Sequence, residues 1–146
     1  MTLALPDILM GQFMALGSPL PPEAGEDYTA ARRGMLAMLS ALASQEAERG
    51  LAARLWENTA LRTLFSEATI DYDASLDGRL AQAAAQRDAD FTWDGLDAAN
   101  ANLRRLLIEL HEAAEARADA ALDRRIVDLY VRMAHERRLD LPGGLG

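Results

Sequence analysis

The apolar residues of positions 96–115, LDAANANLRRLLIELHEAAE, recur at three- and four-residue steps. Leu96, Ala99, Leu103, Leu106, Leu107, Leu110 and Ala114 therefore form one stripe of an α-helix, with Arg105, Glu109 and Glu112 on the opposite side. This is the most strongly patterned stretch of the chain, and the other segments read as helices laid against it.

Upstream, residues 6–16 predict a short helix with Pro6 in its first turn and Ile8, Leu9, Phe13, Met14 and Leu16 apolar. A segment this short must dock on the body or on a partner to stay helical. Residues 17–25, with Pro19, Pro21 and Pro22, read as an extended connector. A second helix starts within residues 23–28, where Glu23, Glu26 and Asp27 suit its positive end. Tyr28, Ala31, Met35, Met38, Leu39 and Leu42 form its expected buried stripe. In the same phase the stripe next reaches Glu46 and Arg49, whereas Leu51 and Leu55 fall on nearly the opposite side. The spacing predicts a helix end between Ser44 and Gly50. One bent helix is the alternative, because glycine within a helix costs only about 1 kcal/mol.

A new helix is expected over 51–68, with Leu51, Leu55, Leu61, Leu64, Phe65 and Ala68 inward and Asn58 within the stripe. An alanine-rich helix follows over 74–87, anchored by Leu76 and Leu80. Asp94 is the expected cap of the central helix, with Asp97 three residues on. A turn is placed at 116–119 although no breaker marks it. The last helix, 119–139, buries Leu122, Ile126, Leu129 and Met133, with Tyr130 at the margin. Acids at helix starts and arginines at helix ends support the segmentation. No stretch alternates as a strand does. The expectation is an all-α, up-and-down bundle of about five helices plus a short N-terminal helix. It forms one domain over 1–146, with an N-terminal arm and connector at 1–25 and a tail at 140–146.

Composition narrows the function classes. The chain has 146 residues, enough to bury a core without staples. It has no cysteine, which excludes disulfides and thiolate chemistry and fits a reducing compartment. All 15 basic side chains are arginine, which together with the abundant alanine reads as a bacterial, GC-rich coding bias without mechanistic weight. The net charge of −8 argues against binding nucleic acid or an anionic membrane. The opening residues have no basic n-region, since the first basic residue is Arg32, and no 18-residue apolar run occurs. A cytoplasmic protein is expected.

Candidate chemistry is sparse. His111 and Glu115 lie four apart and could ligate a metal from one helix face, with His135 and Glu136 completing a site. Projection places His111 at the edge of the stripe near Asn100 and Arg104, and His135 on a polar face. Residue 108 is Ile, where a di-iron Glu-x-x-His pattern needs Glu. Asp71, Asp73 and Asp77 imitate the start of an EF-hand loop, but Leu76 and Gln82 stand where Gly and Glu are required. They read as acids at a helix start. The doublets Arg32/Arg33, Arg104/Arg105, Arg124/Arg125 and Arg137/Arg138 point about 100° apart within each pair, so a convergent anion pocket would need two doublets. Surface pairing with the 23 acids is the simpler fate, Asp128 and Arg132 being at the favourable step. Asn58-x-x-Leu61-Arg62 echoes Asn100-x-x-Leu103-Arg104, as two equivalent helices facing through an asparagine pair would, or as coincidence in a biased composition. No catalytic, cofactor-binding or metal residue is assigned.

Some apolar surface is left over. Val127, Val131 and Ala134 lie away from the stripe of the last helix, and Ile108 away from that of the central one. They are covered either by another chain or by the N-terminal segment of their own. The sequence thus favours a non-enzymatic interaction or subunit protein acting as a homodimer through Ile108, Val127, Val131 and Ala134. The alternative is a ligand- or metal-binding bundle, with or without catalysis, using His111, Glu115 and Arg104 beside Trp56, Trp93 or Tyr130.

Overall fold

The computed structural model describes residues 5–68, 70 and 73–140. It is all-α, with five helices among the described residues: α1 (Leu5–Gly17), α2 (Glu26–Glu67), α3 (Ala74–Ala85), α4 (Trp93–Ala116) and α5 (Ala120–Glu136). Residues 1–4, Thr69, Asp71, Tyr72 and 141–146 lie outside the described set, and with them the ends of the expected arm and tail and Asp71 of the EF-hand-like run. Among the described residues no helix is long and apolar enough to cross a membrane.

The expected break between Ser44 and Gly50 does not occur. α2 runs unbroken for 42 residues through Gly50. Gln45, Glu46, Ala47, Glu48 and Arg49 are good helix formers, and they carry the helix past a single glycine whose cost is about 1 kcal/mol. The change of stripe phase therefore changes the buried face without ending the helix. Contacts divide the molecule at this point: one unit holds residues up to Gly50 with Leu139 and Asp140, the other Leu51–Arg138.

In the first unit α1 meets the early part of α2 through few groups. Gln12, the buried residue of α1, donates from Nε2 to Ser40 Oγ at 3.2 Å, and Arg32 donates to the Ser18 carbonyl at 3.3 Å. Gln45 and the Asp140 backbone exchange two hydrogen bonds of 2.7 and 2.8 Å. The expected stripe Tyr28, Ala31, Met35 and Met38 is exposed, and only Leu39 and Leu42 are partly covered. Periodicity gave the helix an apolar face, but α1 packs elsewhere.

The second unit has the core. Leu61, Leu64 and Phe65 of α2, Leu76, Leu80 and Ala83 of α3, Leu103, Leu107, Leu110 and Ala114 of α4, and Leu122, Ile126, Leu129 and Met133 of α5 make one apolar cluster. Apart from Ala83 these lie on the stripes the spacing predicts, but Leu51 and Leu55, also expected inward, are only half-buried, and Arg54, Glu57 and Asn58 take the buried positions beside them. The caps are local: Asp73 accepts from Ser75 and Leu76 N–H to start α3, and Asp119 from Ala121 and Leu122 N–H to start α5. α4 is capped by Thr92, whose hydroxyl accepts from Gly95 N–H, so Asp94 falls in the first turn and is not the cap. Between α4 and α5, Ala118 sits in the left-handed region at φ 54°. That unbroken-looking turn is made by a residue that must bear the strain.

Candidate functional site

Two polar groups and two apolar surfaces stand out, and each grows from a helix position. The largest polar group lies inside the second unit. Asn100 Nδ2 donates to Asn58 Oδ1 at 2.9 Å, both side chains buried, so the echoing asparagines of α2 and α4 do face each other. The residue before Asn58, Glu57, is wholly buried and accepts from Arg104 Nε and from Arg137 Nε, each at 2.6 Å. Arg137 also donates to Asn100 Oδ1 at 3.2 Å. Arg62 forks onto Asp88 at 3.0 and 2.7 Å, and Asn58 donates to the same carboxylate. Arg54 binds Asp97 at 2.6 Å and lies 4.4 Å over the Trp93 ring.

One arginine from each of two doublets thus converges, as an anion pocket would require. The anion they hold is the chain's own Glu57. Pairing and full burial fix the register of α2 against α4 and the end of α5, because any slip would strand a buried charge. Arg62 Nε has no partner among the described residues, and a cavity of about 220 Å³ beside it, edged by Asp88, Gln86 and Asn102, has room for ordered water. Sequence reasoning missed Glu57. Its signal was the spacing Arg54, Glu57, Asn58, Leu61, which puts charge on the buried face.

The second polar group joins α4 to α5. His111 Nε2 lies 2.9 Å from Asp123 Oδ1 and 3.9 Å from Glu115 Oε1. Ligand atoms of all three residues lie within 4.8 Å of one another. The structure therefore brings His111 and Glu115 together as the spacing suggests, but completes the group with Asp123. His135 and Glu136 are exposed and not part of it. Of the aromatic side chains expected near His111, Tyr130 is there, its ring centroid 5.8 Å away. Burial raises the Tyr130 pKa, with Arg104 acting in the opposite direction. Trp93 instead stacks on Arg54, and Trp56 lies under Arg132 at 5.1 Å. Arg104 belongs to Glu57. The surface arginines Arg125 and Arg79 pair with Glu67 and Glu109; no ion pair joins Asp128 to Arg132 among the described residues.

The apolar surfaces differ in size. Ile108, Val127 and Val131 are 52, 44 and 64% exposed, and Ala134 is exposed beside them in sequence. On the first unit Leu9, Met10, Phe13, Met14 and Leu16 of α1 are half to three-quarters exposed, as are Tyr28 and Met35 of α2; Leu20 and Met38 are a little less so.

The fold and these groups define a class: an all-α bundle pinned by buried ion pairs, with open apolar helix faces. No family matches the chain, and no curated protein or solved structure is similar enough to it to count as a match.

Proposed function

We propose that the chain is a non-enzymatic helical interaction protein that acts as a homodimer in the cytoplasm. The carrying observation is the nine large apolar side chains that the N-terminal unit leaves exposed. At ~150–200 Å² per large side chain and about half exposure, their exposed parts add up to roughly 900 Å² over α1, the connector and α2 together. A monomer's largest apolar patch is about 300–600 Å², and a stable interface takes about 800 Å² from each partner.

The larger exposed apolar area favours the N-terminal unit as the main contact. By the same measure Ile108, Val127 and Val131 offer roughly 250 Å², too little to hold two chains alone. They and Ala134 form a secondary contact. Two copies of the α1–α2 hairpin make a four-helix bundle in which every apolar face has a neighbour. A two-fold pairing closes it. α1 carries Asp7 as its single charge, so no basic ring suits it to anionic lipid.

Light scattering tests this. The expected mass is twice the 15.9 kDa chain, falling to the monomer value in Phe13→Glu/Leu16→Glu with helicity retained. A wild type monomeric at about 100 µM, well above the micromolar Kd of a modest interface, overturns the dimer. Dissociation by Val131→Asp but not by the α1 pair moves the main contact to α4 and α5.

A further inference from the structure

We propose that His111 and Glu115 of α4, with Asp123 of α5, bind one divalent first-row transition-metal ion, zinc being the natural occupant. The three donors meet because the turn at Ala118 folds α5 back so that its first turn lies against the last two turns of α4.

The spacing suits a metal. Bonds of about 2.1 Å at tetrahedral or octahedral angles place neighbouring donor atoms roughly 3.0–3.4 Å apart. His111 Nε2 and Asp123 Oδ1 are 2.9 Å apart already. Glu115 Oε1, at 3.9 Å, closes by rotation of a side chain that is two-thirds exposed and holds nothing else in place. Tyr130 packs beside the imidazole and limits its swing.

Charge points the same way. Glu57, Asp88, Asp97, Glu67 and Glu109 each have an arginine. Glu115 and Asp123 have none among the described residues; between them stands only the imidazole. Two carboxylates held within 4.8 Å of each other with no arginine between them repel, and a dication bound by both carboxylates and the imidazole nitrogen removes the repulsion. One nitrogen and two oxygen donors suit zinc, manganese or cobalt; calcium and magnesium prefer oxygen alone. A groove of about 410 Å³, bordered by Glu115, Asp119 and Asp123, gives water access to the two carboxylates.

Titration calorimetry of the chelator-treated full chain with zinc chloride tests the site, alongside cobalt(II) absorption and melting temperature. One equivalent of zinc is expected, with a raised Tm because the ion ties α4 to α5. His111→Gln and Asp123→Asn should each weaken binding at least about tenfold, and His135→Gln should leave it unchanged. Unaltered circular dichroism shows that the variants fold. No saturable heat at about 100 µM zinc, or equal affinity in Asp123→Asn and wild type, overturns the proposal. Loss of binding in His135→Gln but not in His111→Gln overturns it too. The dimer test is separate, since Phe13→Glu/Leu16→Glu leaves all three ligands in place.

Discussion

Replacing Glu57 with glutamine removes a charge without removing an atom's worth of volume, so no cavity confuses the result. The carboxylate is wholly buried and accepts two arginine Nε–H bonds of 2.6 Å. A hydrogen bond to a charged group contributes about 1.5–3 kcal/mol. The Arg137 side chain is 22% exposed and keeps most of that, while Arg104 is 46% exposed and its share shrinks toward the ~0–1 kcal/mol of a surface pair. The expected loss is about 3 kcal/mol. The second unit spans Leu51–Arg138. At about 0.05–0.15 kcal/mol per residue its whole stability is roughly 4–13 kcal/mol. Urea unfolding followed by fluorescence of Trp56 and Trp93, both in this unit, reads the change directly. With a slope of about 1–1.5 kcal/mol/M the midpoint should fall by roughly 2 M at fixed protein concentration. Glu67→Gln is the control: its pair with Arg125 is 58% and 43% exposed and should cost under ~1 kcal/mol. A Glu57→Gln loss no larger than that of Glu67→Gln would refute the assignment of register to this buried charge.

Three further outcomes follow from particular residues. Ala118→Gly should stabilise by about 0.5–1 kcal/mol, because glycine takes the left-handed conformation at φ 54° without a Cβ penalty; a loss in urea midpoint would contradict the strained turn. Gly95→Ala should destabilise by about 1 kcal/mol, where alanine normally favours a helix, because the added Cβ would lie 2.4–2.6 Å from Asp90 Cγ, Oδ2 and Cβ. Asp90 accepts from Thr92 N–H, which also holds its carboxyl below the usual carboxylate range, so it cannot simply swing away; Asp90→Gly should recover the loss. Tyr130 keeps its proton to higher pH in the folded chain than in the unfolded one, since burial raises its pKa. Its contribution is therefore full below about pH 10 and lost as pH rises above that through the raised value. A phenolate absorbance titration should show a late component that Tyr130→Phe removes.

The second unit was largely legible in the sequence. Leu61, Leu107, Ile126 and Met133 fall in helical phase, and burial follows phase when each stripe has a neighbour. The asparagine pair was visible for the same reason: a polar residue inside an apolar stripe must find its partner there. Two things were hidden. Met35 and Tyr28 keep the period of a buried face yet are exposed, since periodicity says nothing about whether another element covers the face. Asp123 joins His111 across a turn that no glycine or proline announces, so its place in the cluster depended on a backbone conformation alanine rarely adopts.

Glu57 and Arg137 are separated by 80 positions along the chain. During synthesis the glutamate emerges early and waits, hydrated, while α3, α4 and α5 are still being made. At about 5–20 residues per second that interval lasts several seconds. Until the end of α5 leaves the ribosome, burying Glu57 against α4 would leave one oxygen of its carboxylate without a donor, so burial of that seam is favoured only once Arg137 arrives. The bundle therefore closes on its final helix, and a nascent chain stalled before Arg137 should present itself to proteases as unfinished.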